Sequence, residues 1–176
     1  ADPDCVLLAG RYSLLEQPAL DDFLPLAQAR GIGVLLGGVF KATGNASPAM
    51  VPANGRWMNQ DMPRWARRYG VPLAMNPHFP INTLLLMRGA TGLQLREPGR
   101  FLAYCGAMFN AIWVDSLNLN DPGTVGAALH KAGFDPQALL TLANDPVVKD
   151  ALKATTQEAV ERGVFGAPTF FVGSQM

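Results

Sequence analysis

The side chains of this 176-residue chain that could do chemistry are few: two cysteines, two histidines and some well-placed amides and cations. Cys5 and Cys105 lie 100 positions apart and belong to no Cys-x-x-Cys or Cys/His cluster, so neither a redox pair nor a metal site is encoded locally. Reduced thiols of a cytoplasmic protein are the default, because compartment rather than spacing decides whether a long-range disulfide persists. Met75-Asn-Pro-His-Phe-Pro80 is a loop stiffened by prolines that presents an amide (Asn76), an imidazole (His78) and a ring (Phe79) able to stack on another aromatic. A lone loop histidine is more often structural than catalytic, and His130, on a helical stretch, is a weaker candidate. Asn45, within Gly44-Asn-Ala-Ser-Pro48, has an amide that donates and accepts and so suits a peptide-like ligand; a turn asparagine bonded to its own backbone is the competing reading. Arg64, Arg67 and Arg68 either hold carboxylates or solubilise a helix, and solubility is the commoner use.

These residues must be positioned by a chain that is 49% apolar and 16% charged, with no segment approaching the roughly 18 apolar residues that span a bilayer. At this length roughly 70% of the extended-chain surface can be buried, so the core needs no staple. Fourteen bases balance fourteen acids, which leaves little field for a phosphate backbone and argues against nucleic-acid binding. Residues 1–40 carry a net −3 and residues 41–176 a net +3, with a seam near Gly37-Gly38. Before it, Cys5–Ala9, Leu20–Arg30 and Gly33–Leu36 read as strand, helix and strand, a β-α-β unit with parallel pairing. After it, helices are predicted over about 58–69, 81–94, 100–117, 123–132, 136–143 and 146–162, with Asn54-Gly55 among the turns. Leu102, Cys105, Phe109, Ile112 and Trp113 share one helical face, which makes Cys105 a core residue rather than a reactive one. Trp57 and Trp65 read likewise as core or cavity wall. Asp145 before Pro146 starts the last helix, Gly163 stops it, and Val164–Val172 returns to strand. The start lacks an initiator Met and a signal-peptide pattern, and the chain reads as cut at both ends.

From about Leu36 onward several separate blocks occur in order: Gly37-Gly-Val-Phe-Lys-Ala-Thr-Gly-Asn-Ala-Ser-Pro48, Arg64-Trp-Ala-Arg-Arg-Tyr-Gly-Val-Pro72, Met75-Asn-Pro-His-Phe-Pro-Ile-Asn-Thr83 and Val164-Phe-Gly-Ala-Pro-Thr-Phe170. They resemble the 2-hydroxychromene-2-carboxylate isomerase family, within the wider kappa-class glutathione transferase and DsbA-like group. The resemblance implies an α/β fold: a thioredoxin-like sheet with an inserted α-helical domain. Residues 41–145 would be the mostly helical insertion and 146–176 the helix and strand that return to the sheet. Residues 1–36 lack the family's opening strand and Ser-Pro turn. Val6-Leu-Leu-Ala-Gly-Arg-Tyr-Ser-Leu-Leu-Glu-Gln17 and Arg30-Gly-Ile-Gly-Val-Leu-Leu-Gly-Gly38 instead resemble a barrel segment of an aldo-keto reductase. A β-α-β segment of foreign type, residues 1–40, would then stand in for the thioredoxin N-terminal unit, since both are parallel and right-handed.

The resemblance implies glutathione as cofactor and a small aromatic substrate, 2-hydroxychromene-2-carboxylate, isomerised to trans-o-hydroxybenzylidenepyruvate. Rotation about a carbon–carbon double bond is slow until a thiolate adds to it, and an ordinary thiol with a pKa of about 8.5 is only slightly ionised at neutral pH. A serine hydroxyl after the first strand stabilises that anion in the family. Counting back from Leu26-Ala-Gln-x-x-Gly31 puts Ser13 at about its place, although the flanking residues do not match and a helix-capping role competes. Lys41 matches a family lysine beside the substrate carboxylate, where a flexible cation can ease developing negative charge. Asn76 and Phe79 match the stretch lining the substrate cavity. Asn45, Ala167 and Pro168 match the glutathione site, Ala167-Pro168 being the place of a cis-proline whose preceding residue offers its backbone to the cysteinyl portion.

Three other readings compete. Disulfide exchange needs a cysteine pair near the first helix, and none exists. An NADP-linked reductase, as residues 1–36 would suggest, lacks the remaining barrel strands and the catalytic Tyr, Lys, His and Asp set. A catalytically inactive chimeric or truncated fragment stays open. Sheet edges exposed by truncation would favour a homodimer.

Overall fold

The computed structural model describes residues 3–7, 36–47, 50–166 and 169–172. In chain order the elements are β1 (Pro3–Leu7), α1 (Leu36–Thr43), α2 (Pro52–Tyr69), α3 (Leu84–Arg96), a 3-10 turn (Pro98–Arg100), α4 (Phe101–Trp113), α5 (Pro122–Lys131), α6 (Pro136–Asn144), α7 (Pro146–Glu161) and β2 (Thr169–Val172). They fall into two compact units, one formed by Ala1–Ala46 with Pro146–Met176 and the other by Ser47–Asp145.

In the first unit β1 and β2 pair antiparallel, Val6 opposite Phe170 and Leu7 opposite Thr169, with an irregularity between Pro3 and Cys5. The strand predicted from Cys5 thus begins at Pro3, a residue tolerated at a strand's first position because no N–H need pair there. The predicted helix over 20–30 and the parallel strand over 33–35 lie outside the described residues. Leu36, predicted as the end of that strand, instead opens α1, so Lys41 sits in a helix rather than behind a strand. Two glycines make Leu36–Thr43 a poor helix by intrinsic preference, and packing overrides it. Val39 is wholly buried, and α1 lies against α7, whose Val148, Leu152 and Ala159 are buried too. The last helix ends as predicted, with Gly163 in the left-handed region at φ 91°. Of the predicted Val164–Val172 strand, Thr169–Val172 forms, while Val164–Gly166 is irregular.

The second unit buries a core drawn from α3, α4, α5 and α6, including Leu86, Leu93, Tyr104, Met108, Ala111, Leu129 and Leu139. Its predicted helices occur with shifted ends. α2 starts at Pro52, six residues before the expected 58, and runs through Asn54-Gly55. The extended residue Val51 (φ −86°, ψ 114°) followed by proline at the first turn is the start signal, and one glycine costs a helix only about 1 kcal/mol. α4 buries Phe101, Tyr104, Met108, Ala111 and Ile112; of the predicted face Ile112 is buried, Leu102, Cys105 and Trp113 pack at the core's margin, and Phe109 lies outside it. It stops at Trp113 rather than 117 because the chain reverses at Ser116, whose φ is 52°. Among the described residues no helix is long and apolar enough to cross a membrane.

Candidate functional site

The end of α4 shows how the second unit positions its candidate residues. A helix leaves its last four carbonyls without partners in the helix itself. Here all four are taken: Asn110 accepts from the N–H groups of Val114 and Asp115, Ala111 from Leu117, Ile112 from the side chain of Asn76, and Trp113 from the N–H of Ala74 at 2.6 Å. The segment before the Met75–Pro80 loop is therefore laid along the helix end. The amide of Asn76, only 6% exposed, spends both Nδ2 hydrogens on the carbonyls of Ile112 (3.0 Å) and Leu117 (2.9 Å). Its Oδ1 accepts from the His78 N–H at 2.8 Å, and its own carbonyl accepts from the Phe79 N–H at 3.2 Å. Both hydrogens of the Asn76 amide are thus spent within the fold.

The tight turn that Asn76 holds carries Phe79, 54% exposed, over Trp113 with ring centroids 5.7 Å apart and planes tilted by 41°. Aromatic pairs favour such offset, inclined contacts. The Phe79–Pro80 peptide is cis. A second tie follows, in which the Asn82 N–H donates to Oδ1 of Asn120 at 2.9 Å. The result is an exposed aromatic face on a loop fixed to a helix end.

In the first unit Lys41 is exposed on α1 and has no ion pair among the described residues. Asn45 lies just beyond the helix. Its Nδ2 donates to the Phe165 carbonyl at 2.7 Å, across 120 positions of sequence, while its Oδ1 accepts from the adjacent Ala46 N–H at 2.8 Å. One amide hydrogen and one acceptor lone pair remain. The bond fixes the loop after α1 beside the segment that runs, two positions later in sequence, into Ala167-Pro168. Ser13, Ala167 and Pro168 themselves lie outside the described residues.

Cys105, half-buried at the core's margin, carries no disulfide, and burial pushes its thiol up to about 11, so it is protonated at neutral pH. Burial, and secondarily Cys105, raises the Tyr104 phenol as well, and its hydroxyl donates to the Leu86 carbonyl at 2.9 Å. Arg68 lies over the Trp65 ring, which stacks on Tyr69, all on α2. Trp65 is 41% exposed and Trp57 53%, so these two tryptophans are not core. Among the described residues no group of three or more His, Cys, Asp or Glu is placed to hold a metal. The partners that sequence reasoning missed are the backbone carbonyls of Ile112, Leu117 and Phe165. A carbonyl has no residue type to betray it.

Comparison with known proteins places these features. The chain is 29% identical over 143 residues to glutathione S-transferase kappa 1 of Rattus norvegicus, covering 77% of this chain and 63% of that one. It is 29% identical over 123 residues to 2-hydroxychromene-2-carboxylate isomerase of a Pseudomonas sp. (strain C18), covering 68% and 55%. The chain thus spans less than two thirds of the length of these relatives. A solved structure of a 2-hydroxychromene-2-carboxylate isomerase superposes with a TM-score of 0.71 at 26% identity, over 90% of this chain and 79% of that one. The reductase-like piece has partial matches: 56% identity over 48 residues with pyridoxal 4-dehydrogenase of Microbacterium luteolum, 14% of that enzyme, and 31% over 119 residues with D-threo-aldose 1-dehydrogenase of a Pseudomonas sp., 36% of that one. The domain family described as DSBA-like thioredoxin domain matches residues 12–176. With its thioredoxin-type fold and helical second unit, the chain belongs to the DSBA-like thioredoxin domain family.

Proposed function

We propose that the chain is a glutathione-dependent isomerase that interconverts 2-hydroxychromene-2-carboxylate and trans-o-hydroxybenzylidenepyruvate in the cytoplasm. The observation that carries this reading is the Asn45–Phe165 bond, which draws the loop after α1 to the strand-entry segment ending in Ala167-Pro168. A peptide-like ligand with two carboxylates needs backbone and amide groups that both donate and accept, together with a cation. Asn45 keeps one donor and one acceptor, and Lys41 is an exposed cation on the preceding helix, so the residues present fit glutathione and a carboxylate substrate.

When bound, glutathione supplies a thiolate that adds to the conjugated double bond and leaves again after rotation about the single bond so formed. Each residue then has a defined task. Lys41 meets the carboxylate of the substrate and lowers the cost of negative charge that moves toward it. Asn45 and the backbone of Ala167 orient the tripeptide. Phe79 offers its ring to the aromatic end of the substrate. Ser13 donates its hydroxyl hydrogen to the sulfur and so favours the ionised form.

Mixing the protein with glutathione and 2-hydroxychromene-2-carboxylate and following absorbance as the pyruvate isomer accumulates tests the reading. A rate that saturates in both components is the expected result. A rate equal to the blank at every glutathione concentration rejects it and leaves the non-catalytic reading standing.

A further inference from the structure

We propose that Asn76 is a positioning residue for substrate recognition: it sets Phe79 on Trp113 and makes the pair one rigid aromatic wall. The inference rests on the isomerase reading, since it needs an aromatic substrate for that wall to meet.

Four bonds made by one residue carry it. Nδ2 binds the carbonyls of Ile112 and Leu117, Oδ1 takes the His78 N–H, and the main-chain carbonyl takes the Phe79 N–H. Two of the four fix the end of α4, on which Trp113 stands, and two fix the turn that carries Phe79. The amide is therefore the joint between the two rings. A buried amide of this kind is expensive to unsatisfy, because two carbonyls and one N–H would lose their partner at once. A side chain that only filled space would need no such accounting. A side chain that donated to the substrate would need a free hydrogen, and both are taken. Phe79, half of it exposed above Trp113, has no comparable tether of its own, and its ring can stack on a planar ligand only if it is held in place.

The test compares Asn76→Ala, Phe79→Ala and the double variant by two readouts. The first is steady-state kinetics with glutathione and 2-hydroxychromene-2-carboxylate. Each single variant is expected to raise KM for the aromatic substrate about tenfold, with kcat and the KM for glutathione within about threefold of the parent, because the wall supplies binding that ground state and transition state share. The double variant should be no more than about twofold worse than Phe79→Ala alone, since two residues acting as one unit are not additive. The second readout needs no activity: acrylamide quenching of Trp113 in a Trp57→Phe, Trp65→Phe background. Both single variants should raise the quenching constant by a similar factor, about twofold, and the double variant no further. Effects on KM that multiply in the double variant would mean that Asn76 meets the substrate independently, and the proposal falls. A loss of all rates in proportion to folded protein, or Trp113 quenching unchanged by Asn76→Ala, overturns it too. Where Asn76→Ala fails to fold, Asn76→Ser, which keeps one donor, takes its place in both assays. If the parent protein shows no isomerase rate, the functional reading fails, and the quenching series alone decides whether Asn76 sets the ring pair.

Discussion

Replacing Asn45 by alanine removes one hydrogen bond that spans 120 positions, and its effect can be worked out from that bond alone. The Nδ2–Phe165 carbonyl contact is short, 2.7 Å, and solvent-exposed. A bond of this type contributes about 0.5–1.5 kcal/mol net, because water replaces much of it when it breaks. The global fold should therefore survive, with a melting temperature a few degrees lower at most. The larger consequence concerns the ligand. Without the tether the loop after α1 is no longer held beside the segment leading to Ala167-Pro168, and ordering it is then charged to binding. One such bond corresponds to roughly a threefold to tenfold rise in the glutathione dissociation constant. Loss of a direct contact from the second amide hydrogen would multiply that by a similar factor. Isothermal titration calorimetry of glutathione against the parent, Asn45→Ala and Asn45→Asp measures this. Aspartate keeps the acceptor for the Ala46 N–H but faces the Phe165 carbonyl with a second acceptor, so it should bind at least as weakly as alanine. Affinities within about twofold of the parent for both variants would refute the reasoning, because the bond that draws the two segments together would then have no bearing on the ligand.

The remaining predictions concern charge, packing and titration. Lys41→Ala should raise KM for the carboxylate substrate about tenfold or more while leaving the melting temperature unchanged, since the side chain is exposed; Lys41→Arg should keep part of the loss back, and steady-state kinetics showing no change in KM would remove Lys41 from the site. In Gly92→Ala the new methyl would lie 2.5 Å from Cγ of Leu142 on α6, and overpacking of about 1–3 kcal/mol outweighs or cancels the roughly 1 kcal/mol gained in helix preference, so the urea midpoint should fall or stay level; a clear rise would show that α3 and α6 separate easily. The raised Cys105 thiol means the folded chain holds a proton that the unfolded chain gives up near its ordinary value of about 8.5, so its contribution to stability is complete below that pH and is lost on the way up to about 11. Melting temperatures should therefore drop more between pH 8 and pH 10 in the parent than in Cys105→Ala, and equal drops would place the alkaline sensitivity elsewhere.

The helices from α5 to α7 were legible because their signals are local. Proline at the first turn opens α5, α6 and α7, Asp121 and Asp135 cap the first two of these with side-chain bonds, and apolar residues recur every three or four positions. What misled was also local. Asn54-Gly55 has the residue types of a turn yet lies inside α2, and Gly37-Gly38 looks like a break yet lies inside α1, where burial of Val39 outweighs the weak preference. The partly misplaced face of α4 has the same origin. Its sequence is apolar on almost every side, and only the packing of α3 and α5 against it chooses Tyr104 and Met108 over Cys105 and Phe109.

The two asparagines mark where reading from sequence stops. Asn45 and Asn76 are the same residue type, each in a loop with glycine or proline nearby, and each matches a ligand-contact position of the family. Counting hydrogen bonds separates them. Asn76 is buried with both Nδ2 hydrogens spent, on partners 36 and 41 positions away, whereas Asn45 is exposed with one spent, on a partner 120 positions away. An amide whose hydrogens are both spent stiffens what surrounds it, and one with a hydrogen to spare can still donate, which is why the proposals above give the first a positioning task and the second a binding one. Neither distinction is written in residue type or spacing, because in both cases the deciding partner is a backbone carbonyl that the fold, and not the local sequence, brings within reach.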